Sequence, residues 1–142
     1  MKILTKPEKS LSKSSSPVET FDKELQDFCK KLLKKTKQKS GLGMAAPQVG
    51  TNVRVICAKV LGKLTIMVNP TYTSMNNIKV KSFEGCFSVP GVVAEVPRFP
   101  KVKVTYQTMY GKQVSHNLQT TEAFCVQHEC DHLDGLLIDR WL

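Results

Sequence analysis

The sequence predicts an α+β fold in one domain, residues 1–142, with an N-terminal amphipathic helix, several antiparallel β-sheets and a central late helix carrying HExxH. Three observations predict it. Apolar residues recur at helical spacing between Phe21 and Leu33, and short β-branched runs separated by turn residues fill the middle. Near residue 121 the two-residue alternation stops and a helix fits.

Residues 5–18 are polar and punctuated by Pro7, Ser14-Ser15-Ser16 and Pro17, the pattern of a tethered arm or loop. Phe21, Leu25, Phe28, Cys29, Leu32 and Leu33 then form one apolar stripe, which predicts a helix over 21–37 with Thr20 as its N-cap. Lysines 30, 31, 34, 35, 37 and 39 lie on the other side. A solvated face is the default reading of such a run, and an RNA-facing patch is the alternative. Strands are expected at 53–60, 64–68, 92–96 and 102–110, and near 113–118. Leu61-Gly62-Lys63 and Tyr110-Gly111-Lys112 read as turns. A second helix fits residues 121–133, with Gly135 ending it. No internal repeat and no linker marks a second domain.

At 142 residues the chain is long enough for one hydrophobic core. No apolar run approaches the roughly 18 residues a membrane-spanning helix needs. The first seven residues contain Lys2 and Lys6 but no apolar block behind them, which argues against a secretory signal. Residues 1–20 are rich in Lys and Ser but hold Glu8 and Glu19 and no Arg, which argues against a transit peptide. The five cysteines are odd in number and scattered, so they read as reduced thiols in a cytoplasmic compartment. The formal charge of +9 favours a polyanion such as RNA or a ribosome surface, or simply a solvated basic surface.

His128 and His132 stand one helical turn apart, so two imidazoles can converge on one metal ion. Glu129 is turned about 100° from His128 and can face a water beside the metal. Only ten residues follow His132, and Ile138 stands where the HExxHxxGxxH pattern places its last histidine. A third ligand is therefore sought upstream, among Glu84, Cys86, His116, Cys57 and Cys125. Cys125 lies about 10 Å along the helix from His132, too far for one coordination sphere. Cys86 stands out through its neighbours, Glu84-Gly85-Cys86-Phe87-Ser88, because Gly85 removes a side chain beside the thiol. A Cys-His-His set leaves a fourth position open, as catalytic sites do. The small-residue segment 41–50 reads as a packed loop or as a backbone edge for an extended ligand, with Gln48 as a donor to an oxyanion.

In order, GLGMAAPQ (41–48), EGCFS (84–88) and QHECDH (127–132) resemble the three signature motifs of the peptide deformylases. The opening ILTKPEKSLSKSSSPVE is also similar to that family's usual start, so the resemblance covers nearly the whole chain. It implies removal of the formyl group from N-formylmethionyl nascent peptides in the cytoplasm. It implies Cys86, His128 and His132 as ligands of one divalent ion, Fe(II) physiologically, with Zn(II), Ni(II) or Co(II) accepted. It implies Glu129 as general acid/base, with Gln48 and the Phe87 backbone N–H as oxyanion donors. Leu42, Gly43 and Gly85 match positions that bind the substrate backbone as an added strand. Glu84 matches a residue lining the methionine pocket, and Arg98 with Asp131 a pair supporting the metal helix.

The chain departs from the family pattern in three places. Phe87 replaces the usual Leu, Val93 stands where many bacterial members carry Arg, and the sequence ends before the C-terminal helix that many use to dock on the ribosome. Transient ribosome contact is then expected through the basic surface, with no membrane and no specific nucleic acid as partner. The rival readings are a cysteine hydrolase using Cys86 and His128, an endopeptidase, and an RNA-binding module with a structural metal.

Overall fold

The computed structural model describes residues 1–142, with two α-helices, seven β-strands and three short 3-10 turns. Helix α1 spans Lys23–Gln38 and buries Leu25, Cys29 and Leu32, the expected stripe. Its start differs from the sequence reading. Asp22, not Thr20, is the cap, and its carboxylate accepts the Leu25 N–H at 3.0 Å. Phe21 stays outside the helix, because its ring packs where it closes against Gly111.

Strands β1 (Gly43–Ala45), β2 (Val55–Val60), β3 (Lys63–Ser74), β6 (Lys101–Gln107) and β7 (Gln113–Gln119) make one antiparallel sheet in that order. Strand β2 is buried on both faces, which is why its sequence lacks polar alternation. Val55 and Cys57 pack beneath α1, while Ile56, Ala58 and Val60 pack beneath the second helix. Leu32, the fully buried leucine on α1, contributes about 1.5–3 kcal/mol through this burial. The β2–β3 hairpin turns on Leu61 and Gly62, both at positive φ (50° and 80°). The Glu122 carboxylate of the second helix accepts both of their N–H groups, at 2.9 and 2.8 Å.

Strand β3 runs beyond the expected 64–68, across a bulge between Val68 and Thr71. Asn69 sits in that bulge, and its side-chain amide brackets the Val18 backbone at 2.8 and 2.9 Å. Strands β4 (Val80–Cys86) and β5 (Val89–Arg98) form a separate two-stranded sheet. Neither β1 nor β4 was expected. Gly-Met-Ala is a poor strand former, and β4 mixes Lys, Ser, Glu and Gly with few β-branched residues.

Helix α2, Thr120–Leu133, ends in a Schellman motif. The Gly135 N–H donates to His132 at 3.1 Å and the Leu136 N–H to Asp131 at 2.9 Å. Gly135 has φ 74°, and a Cβ there would stand 2.6 Å from the Ser12 carbonyl oxygen. Residues 5–18 are not a free arm, since Leu11 is fully buried with Val89, Val96, Leu137 and Ile138. Ser16 bridges to Val53. No helix is long and apolar enough to cross a membrane.

Candidate active site

Helix α2 presents His128 and His132 one turn apart, with ring centroids 5.2 Å from each other. Strand β4 ends in Cys86. The Cys86 thiol and one ring nitrogen from each histidine all lie within 4.8 Å of one another. Cys86 Sγ is 3.3 Å from His132 Nε2. Of the other upstream candidates, Cys57 is buried beneath α1 and His116 lies beside Tyr106 at 6.0 Å between ring centroids. Glu84 comes close for another reason: its Oε1 stands 2.8 Å from His128 Nδ1. That contact leaves His128 Nε2 free to face the thiol and the second imidazole.

A sulfur and two imidazole nitrogens fit a divalent ion of intermediate softness. No fourth Cys, His, Asp or Glu joins the three, so a bound ion would keep a position open, as a catalytic rather than a structural site requires. Burial, helped by the nearby charges of His128 and Arg98, lowers His132 to about 3 and keeps it neutral, the form that can ligate. For His128, burial acts downward, but hydrogen bonding to Cys86 and Glu84 outweighs it and lifts the ring to about 10. A cation arriving at the cluster competes with that proton.

Arg98, only 4% exposed, holds the assembly from behind. Its Nε and Nη2 donate to both Glu84 oxygens at 3.0 and 2.8 Å, and its Nη1 donates to Asp131 Oδ2 at 2.6 Å. One guanidinium therefore links β4 to α2 beside the two histidines. Burial works to raise Glu84, but the hydrogen bonds from His128 and Arg98 prevail and hold it down at about 2. Glu84 lines the cavity, and its carboxylate is held by Arg98 and His128.

Above the cluster lies a cavity of about 830 Å³. Glu129 lines it, and the carboxyl Oε1 is buried without any hydrogen-bond partner. Burial lifts this carboxyl to about 7. Gln48 is 2% exposed. Its Oε1 accepts the Ala45 N–H at 2.9 Å, which turns its Nε2 toward Ser88 Oγ (3.2 Å) and Cys86 Sγ (3.7 Å).

Gly43 is required sterically. A Cβ there would lie 2.8 Å from Cys125 Sγ and from the Cys57 carbonyl oxygen, and 2.9 Å from Glu129 Oε2. Leu42 is exposed in the wall, and its carbonyl accepts the Cys125 thiol at 3.2 Å. At Gly85 a Cβ would meet nothing nearer than the Val92 oxygen at 3.7 Å, so packing within the chain does not demand glycine there. Phe87 sits in the tight turn between β4 and β5. Its ring reaches the opposite wall, where a Cβ on Gly41 would be 3.0 Å from Phe87 Cε2.

The sequence reading missed Thr121, Phe124 and Cys125 as cavity wall. The signal was present: 121, 124, 125 and 128 share one helical face with the histidine. Cys125, set aside as a ligand, packs against Gly43 instead.

A helix bearing HExxH, opposed by a hairpin cysteine at the floor of this cavity, defines the class as a metal-dependent hydrolase. The chain belongs to the polypeptide deformylase family, whose sequence model matches residues 1–141. It is 35% identical to a peptide deformylase of Wolinella succinogenes, over 97% of this chain and 86% of the relative. A peptide deformylase of Orientia tsutsugamushi is 34% identical over 100% of this chain and 86% of its own. Among solved structures, the Ehrlichia chaffeensis peptide deformylase in complex with actinonin superposes with a TM-score of 0.94 at 31% identity, covering 100% and 88% of the two chains. That of Legionella pneumophila gives 0.93 at 35% identity, covering 99% and 85%. The chain is accordingly an enzyme of the deformylase type, in a metal-dependent family that deformylates nascent peptides.

Proposed function

We propose that one catalytic domain, residues 1–142, removes the formyl group from N-formylmethionyl nascent peptides at a site held by Cys86, His128 and His132. The observation that carries this reading is the convergence of those three donors within 4.8 Å, beneath a cavity that Glu129 and Gln48 line. Bound there, a divalent ion supplies Lewis-acid polarisation and lowers the pKa of water toward ~7. Fe(II) is our assignment for the physiological ion, and the thiolate-imidazole donor set also suits Zn(II), Ni(II) and Co(II).

The chain's own residues then do the following. Glu129 accepts the attacking water's proton at its unpartnered Oε1 and returns it to the departing amine, which would otherwise leave as a strongly basic anion. Burial raises the proton affinity of this carboxyl, which strengthens it as a base. Gln48 Nε2 and the Phe87 N–H donate to the formyl oxygen as negative charge develops on it. The products are formate and a free amino terminus. Glu84 and Arg98 hold the His128 ring in one orientation throughout. Leu42, Gly43 and Gly85 offer backbone to an extended peptide, and the bare Gly43 lets that edge lie close to Glu129.

We assign this work to the cytoplasm, with an organelle as the alternative, and take the ribosome that carries the nascent chain to be contacted transiently through the basic surface. Formate release from formyl-Met-Ala-Ser by metal-loaded, anaerobically purified protein tests the reading. Steady release at a rate that saturates with peptide is expected. No formate above the uncatalysed background would overturn it.

A further inference from the structure

Charge is unevenly distributed in this chain. None of its twelve acidic residues falls between Asp27 and Glu84, whereas Lys30, Lys31, Lys34, Lys35, Lys37 and Lys39 crowd the second half of α1 and its cap. All but Lys35 are exposed, and none of the six makes an ion pair. Lys31, Lys34 and Lys35 line one concavity of about 200 Å³ together with Met1 and Gln38. The pairs 30/34, 31/35 and 31/34 set like charges on adjacent helical turns, which costs helix stability. A helix C-terminus favours cations, and that accounts for Lys35 and Lys37 in the last turn. It does not reach back to Lys30 and Lys31, because the effect fades within one turn.

We infer that this lysine face of α1 is a docking surface for an RNA phosphate backbone, the surface of the particle that carries the nascent chain. The inference rests on the deformylase reading for its partner, and on the lysines themselves for its chemistry. A row of phosphates neutralises the mutual repulsion and releases counterions, which is the dominant source of sequence-independent affinity for RNA. Placement supports the partner. Helix α1 runs through Lys39 directly into Ser40 and Gly41, which line the cavity. A polyanion held on α1 would therefore lie beside the mouth through which a peptide enters.

The test measures anisotropy of a labelled 20-base-pair RNA hairpin against wild type and the triple variant Lys31→Gln/Lys34→Gln/Lys35→Gln, across a range of KCl. Wild type should bind with a steep dependence on salt. The triple variant should bind at least ~10-fold more weakly, with a log–log salt slope reduced by about 2–3 units, near 0.9 for each lost phosphate contact. The arginine counterpart, Lys31→Arg/Lys34→Arg/Lys35→Arg, should retain binding. Formyl-Met-Ala-Ser turnover should be the same in all three, because these lysines touch no part of the cavity, and that turnover also reports folding. An unchanged slope in the glutamine variant overturns the proposal. So does tighter binding of wild type to phosphatidylglycerol vesicles than to the hairpin at 150 mM KCl. If no form releases formate while the RNA result holds, the reaction assignment fails and the surface assignment stands; circular dichroism then reports folding.

Discussion

Glu84 Oε1 stands 2.8 Å from His128 Nδ1, which fixes an imidazole of α2 to the strand that ends in Cys86. One of the three donors is thereby oriented by a carboxylate that Arg98 itself grips. Glu84→Gln should keep the fold and lower affinity for the ion by roughly 10–100-fold, as loss of such supporting contacts does. Competition with a chromogenic chelator measures it. Equal affinity would show that His128 needs no anchor.

Gly43 is the tightest point between β1, β2 and α2. Gly43→Ala would drive a methyl against the Cys57 carbonyl, a backbone atom that cannot swing aside. A loss of about 1–3 kcal/mol in urea unfolding is expected from this overpacking. Formate release should fall as well, because the same methyl displaces Glu129. Wild-type stability with wild-type turnover would contradict the packing described.

Gln48 separates an accepting role from a donating one. Gln48→Glu retains an oxygen for the Ala45 N–H but removes the donor that faces Cys86. A carboxylate buried at this 2% exposed position should lower the melting temperature, and kcat should fall ~10²–10³-fold, the usual effect of losing one oxyanion donor. Stopped-flow or coupled formate assays distinguish this from a rise in KM alone.

Phe87 closes the mouth against Gly41. Phe87→Leu keeps the backbone N–H and removes the ring, so kcat should hold while KM for formyl-Met-Ala-Ser rises several-fold, the scale of lost apolar contact in a pocket. A matching fall in kcat with unchanged KM would assign the ring to the chemical step.

Helix α1 was legible because one face is apolar at helical spacing, and α2 because the two-residue alternation stops before it and Gly135 ends it. Leu61-Gly62 marked its hairpin through turn chemistry alone. Strand β4 escaped because its alternating residues, Ser82 inward with Phe83 outward, follow no hydrophobic pattern. Without β4 there was no route to the Glu84–Arg98 contact, which depends on a β4–β5 register that places Val80 opposite Arg98 and Glu84 opposite Ala94. A shift in that register between Glu84 and Cys86 accompanies the presentation of both side chains at the site. Bulges of this kind come from tertiary packing and leave little trace in composition. Cys86 itself was reachable from the sequence, since a vacant ligand position and Gly85 both pointed to it.

In the proposed mechanism Cys86, His128 and His132 hold the ion while Glu129 moves the proton. Glu129→Gln separates the two, because the amide keeps the shape and cannot accept the water's proton. Metal content and formate release should be measured on the same sample of this variant. One ion per chain is expected, as in wild type, with kcat reduced ~10²–10⁴-fold. A formate trace that coincides with wild type at equal metal content would contradict it.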